Sequence, residues 1–154
     1  MINAGCRDGE LDVRGISHRG YFASITDFKS YHDANMDLID YKTATDLFHD
    51  NWPIYTRTNN SCPTHYFDTA NVSNSVISNG SMIEGTVENS IVGRGCTIKK
   101  GAVIKNCVVL ADCTIGENVH IENLVVDKHA KITHAKEIIR PADEPGYIKR
   151  NDTL

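Results

Sequence analysis

The chain has 154 residues, with 16 Lys and Arg against 20 Asp and Glu for a formal net charge of −4; that is one domain's length, with no basic block to follow a nucleic-acid backbone. No apolar run approaches the roughly 18 residues of a membrane-spanning helix, and the start, Met1-Ile-Asn-Ala-Gly-Cys, lacks the charged and apolar regions of a secretory signal. The five cysteines are odd in number, irregularly spaced and without a CxxC pair, so they read as free thiols of a reducing cytosol rather than as a disulfide framework or a zinc site.

Asp27 is placed to cap a helix running to about Asp40, with Phe28, Tyr31, Asn35 and Leu38 on one stripe and Ile39 alongside. A second short helix is expected at 43–49, where Thr43 precedes Asp46 by three residues as a capping-box variant. Trp52-Pro53-Ile54-Tyr55 then reads as an extended linker. Helix and linker together occupy 27–64, and such a helix is expected to cover a sheet edge or an open end of the C-terminal region.

From position 87 the sequence repeats with a period of 17. Val87-Glu88-Asn89-Ser90-Ile91-Val92 superimposes on Ile104-Lys105-Asn106-Cys107-Val108-Val109 and on Ile121-Glu122-Asn123-Leu124-Val125-Val126. Aliphatic anchors step by six, six and five: Val92, Ile98, Ile104, then Val109, Ile115, Ile121, then Val126, Ile132, Ile138. A further small or apolar residue follows four later, as at Cys96, Ala102, Val108, Cys113, Val119, Val125 and Ala130. Neither a 3.6-residue helix nor an unbroken strand gives this spacing. Short strands joined by tight turns do, three sides to a coil, with the anchor and its fourth successor pointing inward. Gly95, Gly101, Gly116 and the column Asn89, Asn106, Asn123 suit the corners, where positive φ is needed. No proline lies between Pro63 and Pro141 to remove a ladder donor. Ile83 to Val87 is a step of only four, so an irregular first coil beginning near residue 66 is expected. Cys96 and Cys113 should sit side by side on neighbouring coils, as small core fillers in preference to the alternative, a redox-sensing pair.

This pattern resembles the hexapeptide-repeat family, which implies an all-β fold: a left-handed parallel β-helix of three-sided coils over 65–140, preceded by a short helical and extended segment and followed by a tail, 141–154. The left hand comes from the resemblance, against the general right-handed preference of crossovers.

Two further blocks narrow the resemblance. Gly20-Tyr21-Phe22-Ala23-Ser24-Ile25-Thr26-Asp27, followed by Ala34-Asn35-Met36-Asp37-Leu38-Ile39, is similar to the GYWxDVGT…ANMDLL stretch of glucose-1-phosphate adenylyltransferases, and Trp52-Pro53-Ile54-Tyr55-Thr56 to their WPIYT block. Val87–Val92 and Val125–Lys128 resemble their VENSIV and VVDK phrases. The resemblance implies that 1–26 is a remnant of the nucleotidyltransferase catalytic domain. It also implies that the parent reaction joins ATP and glucose 1-phosphate into ADP-glucose and pyrophosphate. The family's metal-binding Asp falls on Ser24, and a hydroxyl is a poor substitute for a carboxylate that holds Mg²⁺ beside phosphates. The chain is therefore most similar to the non-catalytic GlgD-type subunit, with no catalytic residue and no cofactor of its own, Mg²⁺ belonging to the family's catalytic domain.

What the resemblance implies beyond this is a cytoplasmic regulatory and assembly role in glycogen synthesis: a homo- or hetero-oligomer with a catalytic adenylyltransferase subunit as partner, and no nucleic acid or membrane. Lys128 matches a lysine that helps bind an anionic effector in related enzymes, and with His129, Lys131 and His134 it could form a patch for a phosphorylated metabolite. The alternative is a hexapeptide acyltransferase with a catalytic His between coils, for which His120, His129 and His134 are the candidates. Glu84, Glu88, Asp112, Glu117, Glu122 and Asp127 read as a solvated face rather than a metal site.

Overall fold

The computed structural model describes residues 7, 12–49, 51, 53–56 and 58–154. Trp52 of the linker block and most of residues 1–11 lie outside the described residues.

Asp27 caps α1 (Phe28–Met36) as expected: its carboxylate accepts the Ser30 N–H at 2.7 Å while the Ser30 hydroxyl accepts the Asp27 N–H at 3.0 Å. The α-helix stops short of Asp40, tightening into a 3-10 turn at Asp37–Ile39. The second helix, α2 (Tyr41–Leu47), starts two residues before the predicted position, because Asp40 rather than Thr43 supplies the cap and accepts the Thr43 N–H at 2.8 Å. Of the predicted stripe, Tyr31, Asn35, Leu38 and Ile39 are half-buried; the buried side chain of α1 is His32, which the stripe left out and whose Nε2 donates to the Asn106 carbonyl at 2.9 Å.

The rest of the chain is a parallel β-solenoid of three five-stranded sheets. The first sheet stacks β1 (His65–Tyr66), β4 (Met82–Ile83), β7 (Thr97–Ile98), β10 (Thr114–Ile115) and β13 (Lys131–Ile132). The second stacks β2 (Asn71–Ser73), β5 (Thr86–Glu88), β8 (Val103–Lys105), β11 (His120–Glu122) and β14 (Glu137–Ile139). The third stacks β3 (Val76–Ile77), β6 (Ile91–Val92), β9 (Val108–Val109), β12 (Leu124–Val126) and β15 (Gly146–Ile148). Thr97 pairs with Thr114 and Thr114 with Lys131, so the 17-residue repeat is the coil register. Inside run the columns Ile83, Ile98, Ile115, Ile132; Val87, Ile104, Ile121; and Val92, Val109, Val126, Ile148, all buried.

The register loosens at both ends. Met82 pairs with Thr97, 15 residues on, because the corner after Ile83 is two residues short. Gly85 makes that possible, since a Cβ there would lie 2.5 Å from the Ala102 carbonyl. At the other end Val125 pairs with Tyr147, 22 residues on, and Pro141 and Pro145 fall in the longer return that absorbs the difference. Residues 141–154, expected as a tail, thus supply β15, a Lys131–Thr153 bridge and Leu154 against the core. The prolines hid this: they lie between strands, where no ladder donor is lost.

Corner chemistry follows the expectation at Gly95, Gly101, Asn89, Asn106 and Asn123, all with positive φ. Gly116 is a correction: Asn118 takes the left-handed position, and Gly116 is small because a Cβ would sit 2.9 Å from the Thr133 Cα on the next coil. Val108 and Val125 are a second correction. Cys107 and Leu124 fill the core at that corner, while Val108 and Val125 alternate with inward Val109 and Val126 and so face outward. They are only 1% exposed because α1 lies over this sheet, touching β9 and stacking Phe28 edge-to-face on Tyr147.

Candidate functional site

Lys128 stands at the corner after β12, immediately beyond Asp127. One Asp127 carboxylate oxygen accepts the Lys128 N–H at 2.7 Å and the other accepts the Tyr147 hydroxyl at 2.7 Å. The hydroxyl, then the N–H, hold this carboxyl below the usual carboxylate range, with the charges of Arg150 and Lys128 helping. Beside it lies an open cavity of about 370 Å³ lined by Thr58, Asn59, Arg94, Ala111, Asp112 and Lys128. Arg94, Ala111 and Lys128 occupy the same corner position on successive coils, so two cations flank a small residue with Asp112 at the edge.

The structure does not bring together the whole of the predicted patch. His129, Lys131 and His134 are not among the residues lining that cavity. His129 is a corner residue at φ 61 with Nδ1 3.7 Å from Asp112, Lys131 faces out on β13, and His134 donates its N–H to the Leu154 carbonyl at 2.7 Å. Arg94 is the residue that sequence reading missed. The resemblance located Lys128, and the 17-residue period, followed two repeats back in the same phase, would have found Arg94. An arginine and a lysine on stacked corners can hold a phosphate-like anion.

The two halves of the GYWxDVGT…ANMDLL-like stretch meet at a second cavity. Tyr21, Phe22, Ala23 and Ile25 from the first and Ala34, Asn35 and Leu38 from the second, with Leu47, line an apolar cleft of about 410 Å³. The Tyr21 hydroxyl donates to Asp37 at 3.0 Å, and its backbone N–H donates to Asp46, tying the lead-in to the 3-10 turn and to α2. At this cleft large apolar side chains stay in water, with Phe22 78% exposed and Ile25 58%; Phe48, Ile54 and Tyr55 further along the chain are also exposed.

The thiols and histidines take other places. Cys96 and Cys113 are buried core residues of neighbouring coils, donating to the Leu110 and Asp127 carbonyls at 3.1 and 3.0 Å. The adjacent Cys113 side chain and burial push the Cys96 thiol up, and burial pushes Cys107 up to about 12, so both stay protonated as small fillers. His120 lies on the outer face of the second sheet, Nδ1 3.5 Å from Glu137 and Nε2 3.8 Å from Glu122. Glu84 and Glu88 face Lys99 and Lys105 at 3.7 and 3.3 Å, so this part of the acidic set forms surface ion pairs.

Residues 63–144, more than half of the chain, match the family described as GlmU-like, C-terminal hexapeptide. The chain belongs to that family. It is also 36% identical over 140 residues to the glycogen biosynthesis protein GlgD of Bacillus subtilis (strain 168), covering 91% of this chain and 41% of that protein. A glucose-1-phosphate adenylyltransferase of Geobacillus stearothermophilus is 42% identical over 86 residues, 56% of this chain and 22% of the enzyme. One of Bacillus mycoides (strain KBAB4) is 36% identical over 122 residues, 79% of this chain and 32% of the enzyme. The chain thus spans 22 to 41% of the length of these curated relatives.

The hexapeptide-family match accounts for the solenoid, and the GlgD likeness is long enough to reach into the helical segment as well. The Mg²⁺ that the adenylyltransferase resemblance implies does not fit here. Ser24 is exposed and offers only a hydroxyl, and the Asp27 carboxylate is committed to the Ser30 N–H as a helix cap, which holds it below its usual range. Among the described residues no group of three His, Cys, Asp or Glu is placed to hold a metal ion, and no helix is long and apolar enough to cross a membrane.

Proposed function

We propose that this chain is the C-terminal oligomerisation and regulatory domain of a GlgD-type, glucose-1-phosphate adenylyltransferase-like subunit acting in glycogen synthesis in the cytoplasm. The observation that carries the reading is the GlgD likeness over 91% of the chain. Ser24 at the carboxylate position of the metal block supports it. In this reading ADP-glucose is made, with Mg²⁺, on a catalytic partner subunit, and this domain supplies contact surface and regulation. The exposed apolar rim around Phe22 and Ile25 is surface of the kind that assembly covers. The Lys128 corner, with Arg94 across Ala111, is the place for a phosphorylated effector.

Light scattering of the chain alone, and mixed with a separately produced catalytic adenylyltransferase subunit, tests the reading. A mixed complex, with no ADP-glucose formed by this chain alone, is the expected result. A stable trimer indifferent to the catalytic subunit would refute it in favour of acyl transfer, whose sites lie between parallel solenoids.

A further inference from the structure

We propose that Tyr147 is a positioning residue for the Lys128 corner, acting through Asp127, and that the same side chain ties occupancy of that corner to the seating of α1. The inference rests on reading the corner as an anion site.

Tyr147 extends the outward column of the third sheet, where the preceding coils carry Val76, Ile91, Val108 and Val125. Packing under a helix asks only for an aliphatic side chain at that position, and the tyrosine adds a ring edge and a hydroxyl, both of which are used. The ring meets Phe28 of α1 edge-to-face at 5.7 Å and 76°. The hydroxyl donates to Asp127 at 2.7 Å. The other oxygen of the same carboxylate fixes the backbone N–H of Lys128, also at 2.7 Å. One carboxylate therefore joins the residue that carries the cation to the side chain on which the helix rests.

Among the described residues α1 makes no ladder bonds to the solenoid. Among the described residues its fastenings include the Phe28–Tyr147 contact and the His32–Asn106 hydrogen bond. Asp127 does not line the cavity but holds the backbone N–H of Lys128, which does, so an anion that draws on that lysine pulls on the carboxylate, whose hold on the Tyr147 hydroxyl changes with occupancy. A shift of that ring is then transmitted to Phe28. Without the hydroxyl, the carboxylate that fixes the Lys128 backbone loses one of its own restraints, and the ring no longer follows the carboxylate.

The test uses the full chain, inorganic phosphate as probe and amide NMR as readout. In the wild type, phosphate is expected to shift the Lys128 and Arg94 amides and those of Tyr31 and His32 along one saturable isotherm. Tyr147→Phe keeps the ring packing. It should weaken phosphate binding at the corner several-fold and silence the response of α1. If the corner saturates while α1 stays still, or if α1 responds equally in Tyr147→Phe, the relay is overturned and the anion site stands. If the corner never saturates, the anion site itself is overturned, and with it the positioning role. The link to α1 is then decided without ligand, by hydrogen exchange of the α1 amides in Phe28→Leu, Asp127→Asn and the double variant. A double effect at least twofold away from the product of the two single effects supports the link, and a smaller departure overturns it.

Discussion

Ile115→Ala should be among the most damaging single substitutions in this chain, and its size can be worked from position alone. Ile115 is 0% exposed and stacks between Ile98 and Ile132 on the coils either side. Removing three carbons forfeits about 2.4 kcal/mol of transfer free energy at about 0.8 kcal/mol per group. The ladder bonds hold both neighbouring coils at strand spacing, so the void cannot close, and a residual cavity of roughly 60 Å³ adds about 1.5 kcal/mol. The total of about 4 kcal/mol is a large part of the 5–15 kcal/mol that holds a typical domain folded. Urea unfolding followed by circular dichroism measures it, with Thr114→Ala on the outer face as a control expected within about 0.5 kcal/mol of wild type. A loss below about 1.5 kcal/mol at unchanged m-value would mean that coils repack around a vacancy, and the argument from stacked columns would be wrong.

Thiol titration separates the cysteines. Cys62 is exposed and should react with a disulfide reagent in the native protein, whereas Cys96, Cys107 and Cys113 should react only after urea unfolds the coils; early reaction of Cys107 would contradict its burial. Acid should loosen the helical segment before the solenoid. The Ser30 and Thr43 N–H groups hold the Asp27 and Asp40 carboxyls below their ordinary value, so cap stabilisation is fully present above an unfolded pKa of about 3.9 and is lost as pH falls through the depressed folded values. Helical ellipticity should therefore decline at the acid end, and Asp27→Asn with Asp40→Asn should flatten that decline; an unchanged profile would remove the caps from the explanation.

Much of this protein could be read along the chain. The 17-residue period fixes the coil register, the inward columns and the asparagine corners, because a solenoid repeats one local environment and each repeat must satisfy it alone. The cap at Asp27 is equally local, a side chain bonding a backbone three residues away. The period also held Arg94, which is in phase with Lys128 and needed only to be followed two coils back.

Other features depend on contacts between parts of the chain far apart in sequence. Val108 and Val125 carry the inward pattern of a core but face a helix some 80 residues earlier, and no window of sequence distinguishes a column buried inside a coil from one buried beneath α1. His32 looks like any polar helix residue until the Asn106 carbonyl meets it. Residues 141–154 break the period and contain two prolines, so they read as a tail; the free edges of β12 and β13 recruit them as strand and bridge. The sequence by itself determined the repeat, because stacking asks the same thing of every coil. Tertiary structure decided what lies on the outside of the coils, because there each side chain answers to a partner that the repeat does not specify.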